Sequence, residues 1–150
     1  MALVITHPFV SSVPDGADAT LVQPGDWNAD HTIVATLTTW SPTIAPTSGA
    51  FTTVTVNAAR YLSIGKWVVG IIDYTLTDIG TGSGVTTITA PVTVKTGNYG
   101  HCSGTEIVST GYLFGGQISS SQGLIVRRYD GASGMVTGYR IILNFGYEAA

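Results

Sequence analysis

The chain predicts an all-β protein, an antiparallel β-sandwich or jelly roll with an extended N-terminal arm. Three observations carry that prediction. Thr, Val and Ile supply 50 of the 150 residues, whereas Lys and Glu together supply four. β-Branched residues suit pleated strands, and the scarcity of long-chain helix formers removes the main alternative. Apolar and polar residues alternate with period two in several short runs. The 19 Gly and 6 Pro supply the turns that such a fold needs.

Residues 1–40 differ from the rest. They hold Pro8, Pro14 and Pro24, four of the seven Asp and two of the three His. Asp15-Gly16 and Pro24-Gly25 are turn dipeptides. The apolar residues follow neither a helical nor a strand period. This stretch reads as an extended arm that lies on another surface and is poorly ordered alone. Ile33 to Leu37 is a first strand or a connector. Trp40 to Gly49, with Pro42 and Pro46, reads as a loop leading into the β body, residues 41–150.

Within the body, Val54 and Val56 alternate with Thr53 and Thr55, and Leu62 and Ile64 with Tyr61 and Ser63. Lys66 to Thr77 is the longest strand candidate. Val85 to Val94 follows, with Pro91 marking an edge or a bulge. Glu106 to Phe114, Gly123 to Tyr129 and Met135 to Tyr147 complete the set, the last two separated by Asp130-Gly131 and Ser133-Gly134. Seven or eight short strands fit a sandwich or jelly roll. In Trp67–Ile72, Leu124–Val126 and Ile141–Leu143 both faces are apolar. A sandwich buries one face of each strand. The second face therefore needs a cover, either another copy of the chain or a loop or arm of the same one.

Charged residues are only 10% of the chain, well below the usual quarter or so, and the net charge is −3. Part of the surface is therefore expected to be covered by partners. Six basic residues do not make a nucleic-acid footprint. The single Cys102 excludes an intrachain disulfide. The N-terminus lacks the basic region of a signal peptide, and the apolar run Trp67–Ile72 is too short to span a membrane. Synthesis in a cytoplasm without classical export is expected.

Candidate chemistry is sparse. Gly80-Thr81-Gly82-Ser83-Gly84 lies between strand patterns, with no helix N-terminus to hold a phosphate, and reads as a flexible hairpin tip. Asp15, Asp18, Asp26, Asp30 and His31 match no calcium-loop spacing. His101 and Cys102 point to opposite sides of an extended chain, so they do not form a nucleophile–base pair, and Cys102 reads as inert. The carboxylates Asp73, Asp78, Glu106, Asp130 and Glu148 mark no glycosidase pair. No metal, no cofactor and no enzymatic activity are expected. Tyr99, His101, Tyr112, Tyr129 and Tyr139 sit near Gly-rich loops or strand ends. They are candidate receptor-binding positions, because aromatic faces and hydroxyls suit sugars and protein loops. They equally suit the rim of a core or a subunit interface.

Two stretches carry a resemblance. Val22-Gln23-Pro24-Gly25-Asp26-Trp27-Asn28-Ala29-Asp30-His31-Thr32 resembles a motif near the N-termini of short phage and prophage fibre-type proteins. The body resembles a phage module that opens with Trp40-Ser41-Pro42-Thr43, continues through Val54–Val68, and ends with Pro91-Val92 and Gly146-Tyr147-Glu148. The resemblance implies a bacteriophage virion protein of the fibre or spike type, with a jelly-roll head that is usually trimeric. No heptads or collagen-like repeats separate arm from head, which favours a short fibre, a spike or a capsid decoration. Residues 1–40 would anchor to another virion protein of tail or capsid through Pro24, Asp26, Trp27, Asn28 and His31, with Trp27 as the buried anchor. The homotrimeric head would contact host surface glycan. The alternatives are a capsid cement protein with no receptor role and a carbohydrate-binding accessory module.

Overall fold

Strand formation in the body follows the alternation along the chain. On Trp67–Asp78, the side chains of Val68, Ile72, Tyr74 and Leu76 are buried on one face, while Trp67 and Ile71 on the other are exposed. The computed structural model describes residues 2–5, 14, 16–17, 31–34, 37–97, 100–132 and 134–150. It divides into two units, residues 1–36 and 37–150. All regular structure among the described residues is strand.

In the first unit, β1 (Ala2–Ile5) pairs antiparallel with β2 (His31–Val34), Ala2 opposite Val34 and Ile5 opposite His31. A four-residue apolar run such as Ala2–Ile5 is too short to show a period, so it escapes a periodicity reading.

The second unit contains β3 (Thr38–Thr39), β4 (Ile44–Ser48), β5 (Thr53–Ile64), β6 (Trp67–Asp78), β7 (Ser83–Ile88), β8 (Gly100–Glu106), β9 (Leu113–Ser119), β10 (Gly123–Arg128) and β11 (Arg140–Glu148). They form one antiparallel sheet in the order β3-β5-β6-β11-β8-β9-β10-β7-β4. The sheet curls into a half-barrel, so that Ile72 and Leu76 of β6, Leu143 of β11, Ile118 of β9, Leu124 of β10 and Ile88 of β7 share one core. The fold is all-β and jelly-roll-like.

Two features let one sheet curl this far. First, β8 and β9 carry Gly104 and Gly116 at positions facing the core. A Cβ at Gly104 would strike the Ile142 carbonyl oxygen, and one at Gly116 that of Ile125. Neighbouring backbones come closer there than any side chain allows, which permits a sharp bend. Second, the edge strands β3 and β4 are consecutive, and the chain between them crosses the open seam. Trp40 makes the crossing. Its backbone N–H donates to the Ala59 carbonyl at 3.2 Å, and its indole Nε1–H donates to the Thr89 carbonyl at 3.3 Å. The indole packs edge-on against Tyr61 and Phe145. Thr43 then exchanges two bonds with Thr89: its N–H donates to Thr89 Oγ1 at 2.9 Å, and its carbonyl accepts from the Thr89 N–H at 3.0 Å.

Several elements depart from the sequence reading. Trp40–Gly49 contains a strand, β4, which tolerates Pro46 because it is an edge. The Val85–Val94 run ends as a strand at Ile88. Glu106–Phe114 is mostly a loop, and the flanking Gly-rich segments form β8 and β9. Gly100, Gly104 and Gly116 lower the propensity signal at positions where the neighbouring backbone leaves no room for a Cβ. Gly80–Gly84 is no hairpin tip. β6 and β7 do not pair, and the turn links opposite walls of the half-barrel. It is tied down by Thr81 Oγ1, which accepts from the Ala50 N–H at 3.2 Å.

Candidate functional site

The sequence-predicted positions fare differently. Pro24, Asp26, Trp27, Asn28 and Tyr99 lie outside the described residues, as do Asp15, Asp18 and Asp30. His31 begins β2. Tyr112, Tyr129 and Tyr139 gather at one end of the half-barrel, where the β8–β9 and β10–β11 loops emerge. His101 sits on the outer surface towards the opposite end. The structure thus brings three of the aromatic candidates together and separates His101 from them.

At the loop end, only Tyr129 is freely displayed, at 69% exposure. Tyr139 is buried in the core. Tyr112 lies beneath the Arg128 guanidinium, 4.3 Å from ring centroid to Cζ. Arg128 also donates through Nε and Nη2 to Asp130. That guanidinium, helped by the Ala132 N–H, holds the Asp130 carboxyl down to about 2. Tyr112 and Tyr139 therefore serve as rim and core, and Tyr129 remains the accessible aromatic.

The β8–β9 loop is organised by a residue that the sequence reading weighed only as a glycosidase candidate. Glu106 is fully buried. Its carboxylate accepts from the backbone N–H groups of Val108 (2.7 Å), Ser109 (3.0 Å), Thr110 (2.7 Å) and Gly111 (3.2 Å), and from the Thr110 hydroxyl (3.0 Å). Burial pushes the carboxyl up, but the donors of Thr110, Val108 and Ser109 outweigh it and bring it down to about 2. The chemistry is that of an anion nest filled by the chain's own carboxylate. It fixes a loop that displays Ile107 and Val108 to solvent.

Cys102 faces the core and His101 faces outward, as expected for successive strand residues. Burial pushes the Cys102 thiol up to about 12, which leaves it protonated and unreactive. Among the described residues, no group of three or more His, Cys, Asp or Glu is arranged to hold a metal ion.

The outer face of β5, β6 and β11 is an open apolar surface. The register fixes its layout. The first row is Ile64, Trp67, Glu148; the second is Leu62, Val69, Gly146; the third is Arg60, Ile71, Asn144. Leu37 adjoins Leu62 beside β3. Exposures of 62% for Leu37, 53% for Ile64, 51% for Trp67 and 38% for Ile71 show that nothing in the described chain covers them. Two shallow hollows flank Val69. One, of about 390 Å³, is lined by Leu37, Leu62, Ile71 and Asn144; the other, of about 210 Å³, by Trp67, His101, Ser103 and Gly146. Below the third row the face turns polar. Arg140 donates through Nε and Nη2 to Asp73, which also accepts from Asn57 at 2.9 Å. Arg140, with Asn57, keeps the Asp73 carboxyl below its ordinary value against the effect of burial.

The three strands that looked apolar on both faces thus differ. Ile125 on β10 is buried within the chain, Ile142 on β11 is half-buried, and β6 keeps its second face open.

The separated phrases of the body's sequence pattern meet in space. Trp40-Ser41-Pro42-Thr43 closes the seam against Thr89 and packs on Tyr61. The Tyr147 hydroxyl donates to the Val92 carbonyl at 2.8 Å and accepts from the Val92 N–H at 3.1 Å. Glu148 pairs with Lys95. These residues form the framework of the fold. Compared with known proteins, the chain matches no family model, no curated protein and no solved structure.

Proposed function

We propose that the chain is a structural protein of a bacteriophage virion that performs no turnover. It is a short fibre or spike in which the N-terminal residues 1–36 dock onto another virion protein and the β body stands exposed for contact with host surface glycan. The observation that carries this reading is the convergence of the resembling phrases. Trp40–Thr43, the Val54–Val68 stretch, Pro91-Val92 and Gly146–Glu148 are scattered over more than 100 residues of sequence. Within them, Trp40, Tyr61 and Tyr147 help to close and pin the curled sheet. Resembling phrases that include such fold-determining residues speak for a shared scaffold, and the arm motif supplies the virion context. Tyr129, beside the loop rigidified by Glu106, is the aromatic best placed to meet a sugar.

The test is to purify particles of the phage that encodes the chain, with and without its gene. A short fibre predicts that the protein is present in wild-type particles and that adsorption falls without it. Loss of heat or osmotic survival with unchanged adsorption makes it a capsid cement protein instead. Absence from purified wild-type particles refutes the virion reading.

A further inference from the structure

We infer that the outer face of β5, β6 and β11 is a contact with a second copy of this chain, packed face to face about a two-fold axis. This goes beyond the virion reading and does not depend on it, and it puts a two-fold pair in place of the homotrimer that the resemblance implies.

The face has the size and composition of an interface. Leu37, Ile64, Trp67 and Ile71 alone leave roughly 400 Å² open, within the range where exposed patches mark interaction sites. Arg60, Asn144 and His101 are also exposed at its rim and extend it towards the ~800 Å² per partner of a standard interface. Trp67 and Arg60 are the residue types that dominate such contacts.

The partner is identified by self-complementarity. An isologous contact places residue i on residue j and j on i. On the three-by-three grid, Arg60 and Glu148 occupy diagonally opposite corners. A two-fold axis lying along the other diagonal, from the Ile64 corner over Val69 to the Asn144 corner, sets Arg60 of each copy against Glu148 of the other. Lys95, already 2.6 Å from Glu148, flanks that carboxylate on its far side. The same operation lays Trp67 on the partner's Leu62. It also puts Ile71 over the partner's Gly146, the one position in the grid without a side chain. Val69 meets Val69, and Asn144 meets Asn144, where two amides can bond to each other. Rows about 6.8 Å apart and strands about 4.8 Å apart make the strands of the two sheets cross at roughly 70°, closer to the orthogonal than to the aligned packing of β-sheets. Bulk faces void, and Arg60 joins Lys95 on one carboxylate.

The test is the mass of the full chain in solution by light scattering after size separation, followed by variants. Two chains are expected. Trp67→Thr and Ile71→Thr keep a β-branched residue on the strand and should weaken pairing by roughly thirtyfold or more without loss of cooperative melting. Arg60→Glu should weaken pairing about tenfold or more, and adding Glu148→Arg should restore it. A single-chain mass, or a three-chain mass, overturns the inference. So does a pair indifferent to Trp67→Thr and Ile71→Thr, or a charge swap that fails to restore pairing.

Discussion

Replacing Glu106 by Gln should unfasten the β8–β9 loop, and the size of the effect can be worked from the site. The carboxylate takes four backbone N–H groups and one hydroxyl in a fully buried position. Its pKa falls from an ordinary 4.5 to about 2. At 1.36 kcal/mol for each pH interval of one, that depression corresponds to about 3 kcal/mol of folding free energy. Gln keeps the shape, but it offers one neutral acceptor and turns an NH₂ towards N–H groups that need an acceptor. A loss of about 3 kcal/mol should lower the melting temperature by roughly 10–15 °C for a body of this size. The pH dependence gives a sharper signature. A depressed carboxylate contributes fully above its unfolded pKa and loses its contribution as pH falls through the folded value. The stability gap between wild type and Glu106→Gln should therefore be constant above about pH 5, shrink from 4.5 downward and close near 2. Urea unfolding of both proteins at several pH values measures that gap, and Asp73 and Asp130 cancel in the difference. A melting temperature unchanged by Glu106→Gln, or a gap that does not vary with pH, would refute the reasoning.

Two further substitutions probe the core. Tyr147→Phe removes the two bonds to Val92 and should cost about 2 kcal/mol, seen as a loss of roughly 8 °C in thermal unfolding; an unchanged melting temperature would mean that the connector is held by other means. Tyr74 is fully buried, and its hydroxyl makes no hydrogen bond of ordinary geometry although the Thr86 side chain lies beside it. Tyr74→Phe should leave stability unchanged or raise it by about 1 kcal/mol, and a clear loss on denaturant unfolding would show that Thr86, which faces it, supplies a bond.

Much of the fold was legible because strand periodicity is local. Val68, Ile72, Leu76 and Leu124 alternate with outward residues in the sequence as they do in the sheet. β8 and β9 were not legible, because Gly104 and Gly116 weaken local propensity where non-local backbone contact demands glycine. Of the candidate aromatics, Tyr112 and Tyr139 were visible as rim or core residues, but only the packing of Arg128 and the core showed which role each plays. Glu106 was unreadable as a loop anchor, since its partners are backbone groups that any residue carries.

The sequence by itself determined an all-β chain, the core-facing residues of its long strands and the presence of surplus apolar surface. Which part of that surplus stays open was a tertiary decision. Ile125 and Ile71 sit in equally apolar runs, yet Ile125 is 5% exposed and Ile71 38%. Period two says only that neighbouring side chains point to opposite faces. What lies over a face depends on strands paired from distant parts of the chain, and on how far the sheet they build must curl.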